Sequence, residues 1–391
     1  MLLNKWFVLF AYSIVVATSQ MLWLTFSPVT TQSAVIMGTS VNNVTILSLI
    51  FPLTYIILAI PMSRWLDKGF NGAITVGALL TGIGGALRLL MPYNFDFQLG
   101  IQTLISIGQP LILGSLSIVA VYYFDEKERP TAISVGSLAI FIGIIVATAG
   151  GLFIYDTLGY FTMLAIEAIP GIAGMIMLPL LLRSSVRVSK PVVEEKRFRY
   201  TNLHFKLAAM LFVGMGIFDA LDTWLEPMLQ SYGLAGSAGN ILALMTLAGI
   251  LGAAILPKPV SERRKRRLAV TVIIVASFFS LGVLGFVSNL AVITAGMAFE
   301  GFFLLAGLPI LIEWGEKATP PQYQGQVTSL LMLAGNLGGI VIIALGEFTF
   351  GFGNAITALM MMTFVVILIP VLLITPTNVG TSTPDTLSAG E

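Results

Sequence analysis

The hydrophobic positions of this chain form long continuous runs, without the alternation of a strand or the single stripe of a surface helix. A helix rises 1.5 Å per residue, so about 20 apolar residues cross the ~30 Å hydrocarbon core of a bilayer. The runs predict an all-α membrane protein with twelve transmembrane helices, at residues 5–29, 43–66, 72–92, 99–123, 131–155, 161–182, 203–230, 236–256, 268–288, 290–314, 324–349 and 352–375.

The basic residues fall at every second connection between these runs. Of the 20 Lys and Arg residues, nineteen lie before the first run or in and beside the even-numbered connections, and only Arg88 lies inside a run on the other side. Cytoplasmic connections carry the excess of Lys and Arg in membrane proteins. The pattern therefore predicts an even number of spans with both termini in the cytoplasm.

Composition agrees with a membrane protein and excludes several other classes. The chain is 57% hydrophobic and 10% charged, with a mean hydropathy of +0.94 and a net charge of +1. The basic run at 263–267 lies between two spans, where we interpret it as a cytoplasmic, headgroup-facing loop and not as a nucleic-acid site. The chain has no Cys and one His, His204, so we expect no disulfide, no metal site and no cofactor.

The longest polar stretch divides the spans into two sets of six. We expect an N-terminal bundle at 1–182, a charged cytoplasmic linker at 183–201, a C-terminal bundle at 202–375 and a disordered tail at 376–391. This 6+6 arrangement resembles the major facilitator superfamily, in which two bundles rock about a site near the membrane midplane.

The second connection strengthens the resemblance. Its sequence, RWLDKG at 64–69, is similar to the superfamily's cytoplasmic motif between spans two and three, with Gly69 expected to permit a positive φ at the turn. A second charged loop follows at 125–129. The gating residues predicted from these two loops are Arg64, Asp67, Lys68 and Arg129; the alternative for the second loop is a solvated connection without a gating role.

Carboxylates inside the spans are the most informative polar residues, since each charge in hydrocarbon costs about 2.5–3.5 kcal/mol. Asp219, Asp222 and Glu226 are spaced i, i+3, i+7 on one face of span seven. Three carboxylates without a basic partner cannot form a salt-bridge ladder, so we expect proton exchange at Asp219 and Asp222, and also at Glu300 in span ten. Glu226 has a plainer alternative, a position at the outer surface.

Other polar residues lie at similar depth. Gln20 and Trp23 are in the outer half of span one, Gln109 is mid-span in four and Asn336 is mid-span in eleven. Together with Asp219 they predict one cavity between the bundles, where a Trp face beside a carboxylate suits an organic cation. Arg88 is instead interpreted as a structural partner of Asp96 or Glu167.

Three stretches carry a more specific resemblance: 6–28, the QPLILG sequence at 109–114, and GFFLLAGLP at 301–309. They look like the feline leukaemia virus subgroup C receptor-related transporters, a branch associated with choline, ethanolamine and heme. By position, the resemblance implies that Trp23, Gln109 and Asn336 occupy the places of the branch's choline-cage Trp and two Gln residues.

At the fourth cage position, Asp219 falls where the branch has a Tyr. This departure favours a cation with N–H donors, or proton coupling, over simple choline diffusion. Heme is the poorer candidate, since the chain has a single His and no Cys to hold iron.

The sequence thus predicts a secondary transporter for a small organic solute, expected as a monomer in the plasma membrane. The runner-up within transport is proton-coupled efflux of lipophilic cations. A non-transporting receptor is the alternative of another class, and it would need an outer domain that the short outer connections do not provide. No nucleotide-binding or catalytic motif points to an enzyme.

Overall fold

The computed structural model describes residues 3–125, 127–184, 199–263, 265–320 and 323–375, and every regular element in these ranges is helical. Their α-helices are α1 (Leu3–Leu24), α2 (Thr30–Ile36), α3 (Val41–Leu87), α4 (Phe95–Leu113), α5 (Leu116–Tyr123), α6 (Arg129–Ile145), α7 (Gly151–Leu158), α8 (Tyr160–Ser184), α9 (Asn202–Gln230), α10 (Ala238–Ile255), α11 (Pro257–Glu262), α12 (Arg266–Phe286), α13 (Leu290–Lys317), α14 (Gln324–Phe350) and α15 (Asn354–Leu373). Short 3-10 turns at Ser27–Val29 and Ala235–Ser237 and a π-helical turn at Val146–Gly150 interrupt them.

Eleven helical segments of the described chain are long and apolar enough to cross a membrane. Their bounds agree with eleven of the predicted spans to within several residues. For example, the first predicted span corresponds to Lys5–Ile36, and the seventh predicted span corresponds to Asn202–Gln230. Large apolar side chains such as Phe10, Leu251 and Phe279 are exposed along these helices, as lipid contact requires.

The predicted fourth span, 99–123, is not among the eleven. It is divided between α4 and the eight-residue α5, with Gly114 and Ser115 between them. Gln98, Gln102 and Gln109 also place three polar side chains on α4. The described structure therefore confirms a multi-pass helical protein, and the count of twelve stays a prediction.

Each predicted half has its own apolar core. The largest buried cluster draws only on residues from Leu207 to Leu372, and the second only on residues from Val8 to Leu182. Most of the predicted linker at 183–201 and the whole tail at 376–391 lie outside the described residues.

The two halves meet along α3 against α14, and along α6 with its π-helical turn against α10. A glycine permits the second contact: a Cβ on Gly239 would collide with the Thr148 carbonyl oxygen. Close approach of backbones at small residues is how helices pack in lipid, where no hydrophobic force drives them together.

The connection between the second and third spans differs from the expected turn. α3 continues through it, with a kink at Gly69, whose φ is −143° and ψ is 53°. The expectation of a positive φ at Gly69 is therefore wrong. An added Cβ there would touch the Trp65 indole at 3.5 Å, which is ordinary van der Waals contact.

Candidate functional site

The acidic stripe of α9 lies inside the protein. Asp219, Asp222 and Glu226 are 5%, 1% and 0% exposed, and the helix is continuous through them because its first break comes only after Gln230. The alternative for Glu226, a place at the outer surface, is wrong. No ion pair found among the described side chains includes any of the three.

We call the end of the protein that lies away from the basic connections the outer end. At the outer end, the stripe is hydrogen-bonded to the N-terminal half. The Glu226 Oε2 atom accepts hydrogen bonds from the Thr31 backbone amide at 2.9 Å and from the Thr31 hydroxyl at 2.8 Å. One turn deeper, the Ser27 hydroxyl donates to the main-chain oxygen of Asp222. These contacts join the two halves and cover the outer end of the stripe.

Local sequence explains why Ser27 and Thr31 reach α9. α1 ends at Leu24, and Pro28 sits at the start of the 3-10 turn Ser27–Val29, before α2 begins at Thr30. Pro fits the first turn of a helix because it has no N–H to satisfy there. The chain is thereby turned so that both hydroxyls face the C-terminal half. The sequence reasoning missed these two residues, since neither a charge nor an amide marks them.

Deeper along the stripe, the carboxylates are short of partners. Both carboxylate oxygens of Asp222 are buried and make no hydrogen bond to any described residue. Asp219 lies beside Asp222 and packs against α14, where a Cβ on Gly339 would collide with Asp219 Oδ2. Gly339 therefore makes room for the Asp219 carboxylate.

Trp23 is buried where α1 approaches the C-terminal half, and it does not face lipid. It is 8% exposed, its Nε1 donates to the Ser48 carbonyl oxygen at 3.0 Å, and its ring lies 6.4 Å from that of Phe51. Trp23 and Phe51 belong to a buried apolar cluster, here called the Trp23 cluster, which also includes Ile105. Phe218, the residue before Asp219, packs against this cluster. The structure thus brings the first-span Trp close to the acidic face of α9.

The amides divide into two groups. Gln109 is buried on α4, one helical turn beyond Ile105. Ile105 belongs to the Trp23 cluster, so Gln109 lies on the same side of α4 as that cluster. Gln20, one turn before Trp23 on α1, is also buried, and its Nε2 makes no hydrogen bond to any described residue. Asn336 is half-buried on α14, three residues from Gly339, but its Nδ2 donates to the Met332 carbonyl oxygen of its own helix at 2.9 Å.

Glu300 lies away from this group. It is fully buried on α13 and faces Ser277 and Ser280 of α12, so its neighbours belong to the C-terminal half alone. Proton exchange at Glu300 stays a prediction.

The predicted gating residues lie at the end with the basic connections. Arg64 and Lys68 are exposed, and the Asp67 side chain lies outside what the structure describes. Arg129 Nε donates to the Phe124 carbonyl oxygen at 3.2 Å. The loop around Arg129 is held by Lys5, whose Nζ lies 2.6 Å from Glu128 Oε2, a contact within the N-terminal half.

Arg88 belongs to a buried network, as expected, but not through a direct ion pair. Its Nη1 donates to the Thr25 hydroxyl at 2.8 Å, and that hydroxyl donates to Glu167 Oε2 at 2.6 Å. Its Nη2 donates to the Leu22 carbonyl oxygen at 2.6 Å and to Gln102 Oε1. The exposed Asp96 is not part of the network.

The network satisfies the last carbonyl groups of α1, which have no partner within that helix. Gln102 Nε2 also donates to the Leu22 carbonyl oxygen at 3.0 Å. Arg88 and Gln102 thus hold the end of α1, next to Trp23. The sequence reasoning missed Thr25 and Gln102, although two glutamines within one predicted span were a usable signal.

Chemically, the arrangement offers carboxylates, amides and an aromatic face, and among the described residues no group of His, Asp and Glu side chains could hold a metal. Such a site can attract a cation, orient N–H donors and exchange protons.

Comparisons with known proteins agree with this fold. The profile of the Major Facilitator Superfamily matches residues 8–343. Solute carrier family 49 member A3 of Xenopus tropicalis is 26% identical over 375 residues, which cover 88% of this chain and 77% of that protein. The choline/ethanolamine transporter FLVCR2 of Homo sapiens is 25% identical over 386 residues, which cover 90% of this chain and 73% of that protein.

A solved structure has a similar fold. A bacterial homologue of the human lysosomal transporter Spinster, in an inward-facing and unoccupied conformation, has a TM-score of 0.71 at 15% identity, covering 95% of this chain and 96% of that one.

Proposed function

Because the chain belongs to the Major Facilitator Superfamily, we propose that it is a secondary transporter that moves a small cationic or zwitterionic amine across the plasma membrane by alternating access. The substrate class is that of choline and ethanolamine, which its relatives are named for. That likeness favours this class over lipophilic drugs and over a non-transporting receptor. In this proposal α4 and α5 together form the fourth membrane span, which brings the total to twelve. Both termini are cytoplasmic, and the protein acts as a monomer.

The carrying observation is the Asp219 carboxylate, which is buried and has no ion-pair partner among the described side chains, while its neighbour Phe218 packs against the apolar cluster that contains Trp23. A carboxylate in such surroundings stabilises a ligand ammonium by Coulomb attraction, and the indole adds cation–π attraction of about 0.5–2 kcal/mol. An ammonium with N–H groups also donates hydrogen bonds to the carboxylate. A quaternary ammonium cannot do so, so the site favours ethanolamine-like over choline-like substrates.

The polar groups around this pair have distinct roles in the proposal. Gln109 and Gln20 hydrogen-bond the substrate's polar end, because both amides are buried beside Trp23. Asn336 has a lesser part, since its Nδ2 already bonds to its own helix. Asp219 and Asp222 also carry a coupled proton when the substrate is absent, which would keep two neighbouring carboxylates from repelling each other.

Alternating access requires a gate on each side of the site. The hydrogen bonds from Thr31 to Glu226 and from Ser27 to Asp222 form the outer gate, because they are the contacts that join the halves at the outer end. The charged loops with Arg64, Asp67, Lys68 and Arg129 form the inner gate once the halves approach at the basic end. The described conformation, held together at the outer end, then corresponds to an inward-facing state.

A thermal-shift screen of the purified protein tests the substrate class. A ligand that binds the folded form raises the melting temperature by linkage. Ethanolamine and related primary amines should raise it in a saturable way, whereas polyols, anionic amino acids and porphyrins should not. Stabilisation by porphyrins or neutral solutes alone would contradict the proposal.

A further inference from the structure

A buried cluster of oxygen atoms lies between α12 and α13, apart from the candidate substrate site around Asp219. Glu300 of α13 faces Ser277 and Ser280 of α12, and these residues are 0%, 2% and 2% exposed. Both carboxylate oxygens and both hydroxyl oxygens make no hydrogen bond of normal geometry to any described residue. Four oxygen atoms of three side chains are thus buried at one place, with the two serine hydroxyls within reach of the Glu300 carboxylate and no other polar partner found among the described residues.

The two serines differ from the other hydroxyl side chains of the same helices. A Ser or Thr inside a helix usually donates to the carbonyl four residues earlier. Thr271 of α12 does so to the Arg267 oxygen at 3.0 Å, and Thr294 of α13 to the Leu290 oxygen at 2.7 Å. Ser277 and Ser280 make no such bond, so their hydroxyl groups remain available to the Glu300 carboxylate and to an ion beside it.

No basic side chain neutralises Glu300 within the described structure. Arg266 begins the same helix as the serines, but it lies eleven residues before Ser277, about 16 Å along the axis. Its guanidinium is also occupied by Glu313, at 3.1 Å. A lone carboxylate near the middle of a bilayer must be protonated, hydrated or paired with a cation.

We propose that Glu300, Ser277 and Ser280 form a binding site for a monovalent alkali cation of the size of sodium. The ligand set consists only of hard oxygen atoms, which suits alkali and alkaline-earth ions and not softer metals. A single carboxylate balances one positive charge, whereas calcium and magnesium sites use more carboxylates or several bound waters. The ion joins α12 to α13 within the C-terminal bundle.

The test measures thermal unfolding of the purified full-length protein in sodium, lithium and potassium chloride at equal ionic strength, together with equilibrium binding of radioactive sodium. Wild type should show a saturable rise in melting temperature in sodium and lithium that potassium does not reproduce. Glu300→Gln and the double variant Ser277→Ala/Ser280→Ala should both lose this rise and the bound sodium.

Two variants serve as matched controls and must keep the sodium effect. Thr271→Val removes a hydroxyl of the same helix that bonds within the helix, and Asp219→Asn removes a carboxylate of the proposed substrate site. Because Asp219→Asn tests the transport proposal separately, failure of one proposal leaves the other intact. The cation site is overturned if wild type shows no sodium-specific rise in melting temperature, or if Glu300→Gln retains that rise. It is also overturned if acidification alone reproduces the rise, since Glu300 would then hold a proton.

Discussion

The Thr31 backbone amide lies 2.9 Å from Glu226 Oε2, across the boundary between the two halves. Thr31 belongs to the first turn of α2 and Glu226 to the outer end of α9, so this contact joins a short segment after the first span to the acidic stripe. A carboxylate that is bonded to the opposite half can hold the transporter in one conformation. In the proposed cycle, this bond breaks when the outer side opens.

Thr31→Val should weaken the outer gate while keeping the backbone hydrogen bond. Loss of one hydroxyl bond to a carboxyl group is worth about 1–3 kcal/mol. Hydrogen exchange measured by mass spectrometry should therefore rise in the peptide covering 27–36. Thr103→Val is the control, because its hydroxyl bonds only to Leu99 of its own helix. Equal exchange in both variants would contradict a gate at this contact.

Trp23→Phe should reduce amine affinity without a general loss of stability. The change removes the bond to the Ser48 carbonyl and weakens cation–π attraction, an effect of about 0.5–2 kcal/mol, or about 2- to 30-fold in Kd. Trp224→Phe is a matched control, since the Trp224 Nε1 donates to the Ile343 carbonyl at the same 3.0 Å and lies in the core of the C-terminal half. Amine binding measured by radioligand should fall only for Trp23→Phe. Equal losses would mean that Trp23 is a packing residue.

Gly339→Ala should disturb the site through Asp219. The added methyl group would occupy the position of Asp219 Oδ2 and force the carboxylate to move. We expect a rise in Kd for ethanolamine of about tenfold or more, equivalent to about 1.4 kcal/mol. At Gly282 an added Cβ meets only the Met362 Cε at 3.7 Å, so Gly282→Ala should bind normally. Unchanged binding by Gly339→Ala would place the substrate elsewhere.

Arg88→Gln should destabilise the N-terminal half. Removal of one member of a buried charged network costs about 3–5 kcal/mol, because the remaining charge is left unpaired. Thermal unfolding should show a large drop for this variant and little change for Arg64→Gln, whose side chain is exposed. Glu167→Gln in the Arg88→Gln background should recover part of the loss. Additive losses in the double variant would show that the two residues are not coupled.

The hydrophobic runs predicted the helices well because membrane crossing demands length and apolarity at every position. They did not indicate the interruption at Gly114 and Ser115 within 99–123, where the structure divides the run between α4 and α5 and the crossing stays a prediction. The conformation of Gly69 in RWLDKG was mispredicted, because the chain passes through this connection as a kinked helix in which Gly69 has a negative φ.

The site was predicted unevenly for a related reason. Charges and amides in apolar runs indicated Asp219, Asp222, Gln109 and Trp23, since each needs a partner or water. Position along a span gives the depth of such a residue in the membrane, but it does not say which neighbouring helix the side chain faces. The sequence therefore indicated Glu300 as a buried carboxylate, but it did not indicate that Glu300 faces Ser277 and Ser280. Thr31 and Ser27 could not be identified, because ordinary hydroxyl residues become gate contacts only once the chain has turned at Pro28.

The most direct test of the account is uptake of radiolabelled ethanolamine and choline into proteoliposomes containing wild type, Asp219→Asn or Asp156→Asn. Asp219→Asn is nearly isosteric and removes the charge, so it should fold and insert normally, while Asp156 is an exposed carboxylate on α7. We predict wild-type uptake for Asp156→Asn. For Asp219→Asn we predict a loss of about 10- to 100-fold in ethanolamine uptake, as expected for a charged hydrogen bond of about 1.5–3 kcal/mol. Wild-type uptake of ethanolamine by well-folded Asp219→Asn would contradict the account.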